Sequence, residues 1–263
     1  MKNKVIVSAQ ELHDMPTVRI FDVRWQLGKT DDLERFAAGH IADATFVDLE
    51  QQLARPGKAT DGRHPLPAET AFGQQLNEWG LTPDSTVVIY DDNKNLSAAR
   101  MWWLLRNAGI RQTYLLDGGI QAWEAAGFPV VSGTENYRAT STQVNWTFGH
   151  MAVALPAHSD ELVDSRAAER FAGVPNPVDK RPGHIPGAIN LPTTENVDES
   201  GNFLGPDALK KRFTSLNNPT VYCGSGVTAC HNIAAMEIAG IQAKLYPGSY
   251  SAWEADPVND IES

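Results

Sequence analysis

Cysteine is scarce: two residues in 263 cannot build a disulfide framework. Long apolar runs are missing too. Nothing approaches the roughly 18–20 residues that cross a membrane, and the opening MKNKVIVSAQELHD has a short apolar stretch without a small-residue cleavage site. Neither a membrane span nor a secretory signal is expected. Positive charge is also in deficit. With 22 Lys and Arg against 32 Asp and Glu, the formal charge is −10 and the pI near 5.1, which argues against nucleic acid or an anionic membrane as a partner. Metal-ligand spacing is lacking: Cys230 with His231 has no second pair, so no metal and no cofactor is expected. What remains is an acidic globular chain, 42% hydrophobic and 21% charged, with the cytoplasm as its expected compartment. Its length suits two domains of about 100–130 residues.

The chain reads twice. Phe21-Asp22-Val23-Arg24 resembles Val163-Asp164-Ser165-Arg166, and Gly39-His40-Ile41-Ala42-Asp43-Ala44 resembles Gly183-His184-Ile185-Pro186-Gly187-Ala188. Val88–Asp91 matches Thr220–Cys223, Ala108–Ile110 matches Ala239–Ile241, and Gly118–Trp123 matches Gly248–Trp253. The order is preserved and one loop is longer in the first half, so one fold occurs in two copies. The spacing predicts strands at Val18–Val23, Val87–Tyr90, Glu161–Asp164 and Thr220–Tyr222. It predicts helices at Ala98–Asn107 and Thr228–Ala239, ending near Gly109 and Gly240. Alternating strand and helix implies an α/β fold: two tandem domains, each a parallel sheet flanked by helices. The expected boundaries are 1–131, a linker at 132–149 and 150–263. Gly173–Pro182 reads as an exposed proline-rich loop. Trp102, Trp103, Trp123 and Trp253 lie on apolar helical patterns and read as core.

Chemistry concentrates at Val221-Tyr222-Cys223-Gly224-Ser225-Gly226-Val227-Thr228-Ala229-Cys230. A strand ends, a loop with two glycines turns, and a helix begins. That puts Cys223 at the carboxyl edge of the sheet, where open α/β folds bind ligands. Backbone N–H groups from Gly224 to Thr228 form a cradle, and the helix N-terminus adds partial positive charge. Such a setting can bring a thiol from about 8.5 into a range of roughly 3.5–7.5, making a nucleophile. Cys230, about two turns further on, reads as helix core.

The run Cys-Gly-Ser-Gly-Val-Thr resembles the active-site loop of 3-mercaptopyruvate sulfurtransferases, members of the tandem-domain rhodanese family. The internal repeat and Gly183–Ala188 are similar to that family's as well. The resemblance implies two rhodanese-like domains, the first inactive and the second carrying a persulfide on its cysteine. Asp91 stands where the first domain would need that cysteine. The implied reaction moves sulfur from 3-mercaptopyruvate through Cys223 to a thiol acceptor, such as thioredoxin or a low-molecular-weight thiol, or to cyanide, releasing pyruvate. Thiosulfate-preferring rhodaneses usually carry Arg and Lys where this chain has Gly224 and Ser225. An uncharged loop suits a donor with one carboxylate and an enolate leaving group, which a hydroxyl at Ser225 could help protonate. The resemblance also implies a Ser-His-acid relay with His64 and Glu50, the latter standing where the family has Asp. It implies a carboxylate clamp at Arg170. The family's second arginine falls near Asp179-Lys180-Arg181, with Arg181 as the second candidate. Arg166 reads as structural.

Three other readings compete. Thiosulfate sulfurtransfer is the near one. A non-catalytic rhodanese-like binding module is the second. The third, a Cys-x5-Arg phosphatase, needs an arginine at position 229, where this chain has Ala229.

Overall fold

The computed structural model describes residues 4–135, 137, 139–156 and 161–263. Positions 1–3, 136, 138 and 157–160 lie outside the described residues, among them two positions of the expected linker. The first sheet contains β1 (Ile6–Val7), β2 (Arg19–Asp22), β3 (Ala44–Phe46), β4 (Val87–Tyr90) and β5 (Thr113–Leu116), in the order β1-β5-β4-β2-β3. The second contains β6 (Leu162–Asp164), β7 (Ile189–Asn190), β8 (Thr220–Tyr222) and β9 (Lys244–Leu245), in the order β7-β6-β8-β9. Every pairing is parallel. A parallel bridge from Ala152 to Leu245 supplies on the second sheet what β1 supplies on the first. The α/β architecture expected from the strand–helix alternation is therefore present twice.

The repeat is visible as repeated contacts. Arg24 forks onto Asp22 and Arg166 onto Asp164, each pair fully buried at the end of its strand. His40 stacks on Phe36 and His184 on Phe171, with ring centroids 3.9 and 3.7 Å apart. Tyr90 accepts from the N–H of Ile41, and Tyr222 from that of Ile185, both at 3.1 Å. The motif shared by Gly39–Ala44 and Gly183–Ala188 is thus a brace between a strand end and the following loop.

Two helices join the domains. Ala98–Asn107 is buried from Ala98 to Arg106 and packs on β4 and β5; Ala229–Ile238 packs on β8 in the same way. They also pack on each other, so each is covered on two sides, which is why their sequences are apolar almost all round. Near their carboxyl ends Arg106 bonds across to Glu237. The outcome is a buried cluster common to both domains: Phe21, Ile89, Trp102 and Trp103 belong to it with Val163, Val221, Cys223 and Met236, while a smaller cluster stays within each domain.

Between helix Gly119–Ala125 and β6 the chain has no helix among the described residues, and it is tied down. The Asn77 carboxamide oxygen accepts from the Thr142 hydroxyl, the Val144 amide and the Trp146 indole at 3.0–3.1 Å, and Trp146 lies against Gly73. The connection is strapped along the first domain until Gly149 reaches the Asn107 carbonyl.

A shared core predicts shared melting. Calorimetric unfolding should give a single transition whose calorimetric and van't Hoff enthalpies agree. Two separated transitions would show that the domains are energetically independent.

Candidate active site

Cys223 follows directly on β8 and is only 2% exposed. Helix Ser249–Ala255 aligns it from below: the Tyr250 and Ser251 amides donate to the Cys223 and Gly224 carbonyls at 3.0 Å, and the Ser249 hydroxyl accepts the Cys223 N–H at 3.2 Å. Gly226 N–H points at Cys223 Sγ, 3.2 Å away. That direction depends on glycine. Gly226 has φ +77°, and a Cβ there would lie 2.5 Å from the Pro247 carbonyl oxygen. Val227 is buried in the core and Thr228 sits at the start of helix Ala229–Ile238, so both shape the loop from behind.

The corresponding position in the first domain shows what such a loop holds. Asp91 is fully buried, and its carboxylate accepts from the amides of Asn93, Asn95, Ser97 and Ala98 at 2.8–3.0 Å. An anion in a ring of N–H groups takes the place of the thiol.

The first domain's longer loop closes over Cys223. The 3₁₀ turn Ala59–Asp61 packs on helix Ser249–Ala255, and Arg63 N–H donates to the Ser251 hydroxyl at 3.0 Å. His64, in that loop, places Nδ1 2.8 Å from Ser225 Oγ. On its other side Nε2 lies 3.8 Å from Glu50 Oε1, an ion-pair distance rather than a hydrogen bond, and Glu50 also accepts from the Trp25 indole at 3.2 Å. Glu50 is largely exposed. Ser225, His64 and Glu50 thus form a line from the nucleophile to solvent, across 161 residues of sequence between His64 and Ser225. Burial pushes the His64 imidazole down to about 4; the buried charge of Arg100 adds to this and Glu50 opposes it. The ring is neutral at pH 7. Nδ1 donates to Ser225 Oγ in one neutral tautomer and accepts from its hydroxyl in the other.

The cations need a correction. The Cys223 loop is uncharged, but the space above it is not. A Cβ on Gly224 would lie 2.8 Å from an Arg63 Nη and 3.0 Å from an Arg170 Nη, so two guanidinium ends converge where glycine leaves room. Arg63 escaped the sequence reading, although it precedes His64 in the loop that the repeat shows to be longer. Arg170 is held by Asp179, whose oxygens accept from its Nε at 2.8 Å and Nη at 2.5 Å. Asp179 also bonds to Arg166, so a carboxylate stands where the resemblance expects a second arginine. Arg181 is not brought to the site. Its guanidinium is bonded to the carbonyls of Glu254, Asp256 and Asn259, and its own carbonyl accepts from the Tyr250 hydroxyl. The two guanidinium groups brought together over Gly224 are those of Arg63 and Arg170, one from each domain.

Cys230 is fully buried, donates to the Gly226 carbonyl at 3.4 Å, and is pushed up to about 12 by burial, which suits helix core. No group of metal ligands occurs among the described residues, and His231 stacks on Phe203 instead. A groove of about 830 Å³ lies at the carboxyl ends of the paired helices, lined in part by Arg106, Arg111, Phe148 and Lys244. It shares no residue with the Cys223 loop. No helix among the described residues is long and apolar enough to cross a membrane.

Comparison with known proteins agrees with this geometry. The rhodanese-like domain matches residues 7–126 and again 152–256. A Pseudomonas aeruginosa protein provisionally named 3-mercaptopyruvate sulfurtransferase is 40% identical over 98% of this chain and 97% of its own. A Mycobacterium tuberculosis protein provisionally named thiosulfate sulfurtransferase is 36% identical over 99% and 97%. Among solved structures, 3-mercaptopyruvate sulfurtransferase from Leishmania major matches with a TM-score of 0.85 and 30% identity, over 95% of this chain and 74% of that one.

The depressed imidazole gives a signed pH effect. A histidine held below its unfolded value near 6.5 favours the fold fully above that pH, and the benefit is lost as pH falls toward 4. For His64 this is at most about 3 kcal/mol. The urea midpoint of the wild type should therefore drop between pH 6.5 and 4, and His64→Gln should flatten that slope. Equal slopes would mean that His64 is not buried as a neutral ring.

Proposed function

The chain belongs to the rhodanese family and is a sulfurtransferase built from two tandem rhodanese domains, and from that membership we propose that it takes sulfur from 3-mercaptopyruvate onto Cys223 and passes it to a thiol. The single observation that carries the donor assignment is the 2.8 Å contact between Ser225 and His64, two residues from the nucleophile. In the proposed reaction the Cys223 thiolate attacks the donor's sulfur. The C–S bond breaks and its electron pair stays on carbon as pyruvate enolate. Ser225 delivers a proton to that carbon, His64 in its Nδ1–H tautomer replaces it through Nδ1, and Nε2 takes up a proton from solvent beside Glu50, so one solvent proton is consumed. The persulfide keeps the donor's own S–H proton. Arg63 and Arg170 grip the carboxylate from the two domains. An acceptor thiolate then attacks the outer sulfur, the S–S bond breaks, and Cys223 returns as thiolate with a persulfide released on the acceptor. Thioredoxin, a small thiol or cyanide would each suit this second step.

Asp179 supports the choice of donor. It occupies two donors of Arg170 and keeps the pocket from accumulating the charge a dianion needs. The thiosulfate reading keeps one observation in its favour, the pair of guanidinium groups over Gly224. We assign the domains to 1–131 and 150–263 with 132–149 between them, and the reaction to the cytoplasm, where the two free thiols would stay reduced.

Two experiments test this. After donor treatment, mass spectrometry should find one added sulfur on the peptide containing Cys223, Cys223→Ser should abolish transfer, and Cys230→Ser should leave most of it. Sulfur on Cys230 would overturn the assignment.

On one preparation, kcat/KM for mercaptopyruvate should exceed that for thiosulfate by at least about tenfold, or ~1.4 kcal/mol. Arg63→Ala and Arg170→Ala should mainly raise KM by about 10- to 150-fold, the loss of a charged hydrogen bond of roughly 1.5–3 kcal/mol. Ser225→Ala and His64→Ala should instead lower kcat for mercaptopyruvate by about 10²-fold or more and spare residual thiosulfate cleavage. Equal or reversed donor preference sinks the mercaptopyruvate assignment.

A further inference from the structure

Helix Ala98–Asn107 carries an arginine, Arg100, with no exposed surface. Among the described residues no Asp or Glu bonds to it; its donors go to backbone carbonyls and to the Cys230 thiol. Nε and one Nη reach the Leu53 oxygen at 3.3 Å, that Nη also reaches the His64 oxygen at 3.0 Å, and the other Nη reaches the Gly226 oxygen at 2.9 Å. A guanidinium withdrawn from water without an anion is expensive, and bracing loops does not by itself require a charge.

The three carbonyls are not arbitrary. Gly226 is the residue whose N–H points at Cys223 Sγ, and His64 is the residue whose ring holds Ser225. One planar group therefore sets both neighbours of the reacting sulfur, reaching 126 residues along the chain to Gly226. The groups that answer its charge are thiols. Burial lowers Arg100, while Cys230 and Cys223 act in the opposite direction. Cys230, pushed up to about 12, stays protonated at pH 7.

We propose that Arg100, supplied by the domain that lacks the cysteine, is a positioning and electrostatic residue for sulfur transfer: its fork holds Gly226 and His64 in register, and its charge favours the anionic sulfur of Cys223. The proposal rests on the reading of Cys223 as sulfur carrier.

The test uses the full chain in a Cys230→Ser background, so that one thiol remains. Arg100→Lys keeps the charge and loses the fork; Arg100→Met loses both. The rate of iodoacetamide alkylation at pH 7 reads the anionic sulfur, kcat for mercaptopyruvate reads alignment, and near-UV circular dichroism checks the fold. The Lys variant should alkylate within about threefold of the parent, while its kcat falls about tenfold or more at a KM within about twofold. The Met variant should also alkylate about tenfold or more slowly. Unchanged alkylation and unchanged kcat in both variants, with only a lower melting temperature, would overturn the proposal and leave Arg100 a brace. If the Met variant does not fold, the Lys variant decides alone, and an unchanged kcat overturns the proposal. A parent that gains no sulfur on Cys223 would overturn the carrier reading itself, a failure separate from any effect of Arg100.

Discussion

Everything in the site depends on helix Ala98–Asn107 lying against helix Ala229–Ile238. That contact is largely apolar, with Arg106 bonded to Glu237 near the carboxyl ends, and it brings the amino end of one helix beside the Cys223 loop at the start of the other. Because the contact is part of the cluster common to both domains, the first domain's loop is delivered to Cys223 at a fixed height. His64 meets Ser225 at hydrogen-bond distance and Arg63 meets Arg170 over Gly224 as a result. Neither meeting could be made by one domain alone.

The first domain thus has Asp91 where the second has Cys223. It brings a ring nitrogen to Ser225, a guanidinium over Gly224 and another to the Gly226 carbonyl, all from residues 63–100. The second supplies the sulfur, the hydroxyl and Arg170. The carboxylate of Asp179 ties Arg170 down and answers part of its charge.

Much of this was legible in the sequence, and the reasons are local. β4 and β8 are fully buried parallel strands and read as short apolar runs. The helix Ala98–Asn107 was found to the residue. Two-residue strands such as β1, β7 and β9 exist only because a neighbour pairs with them, and no run of their own announces them. The same division applies to the site. Cys223 and Ser225 sit in a strand–loop–helix motif whose chemistry is written in ten consecutive residues. Arg63 and Arg100 make contacts across tens to more than a hundred residues, Asp179 meets Arg170 where a loop folds back nine residues, and only an arginine amid Ala, Met, Trp and Leu hinted at Arg100. Arg181 misled for the same reason: proximity in sequence to a clamp says nothing of the backbone carbonyls that capture it.

Asp91 carries a consequence for how such a chain can change over time. Its carboxylate satisfies four buried amide donors at once, a task for which a thiol is a poor acceptor. Restoring a cysteine there would strand those amides before it created any activity, and no ring nitrogen from the other domain would be waiting for it. At Asp91, then, a single step toward cysteine would cost hydrogen bonds without giving the first domain a Ser–His contact of its own.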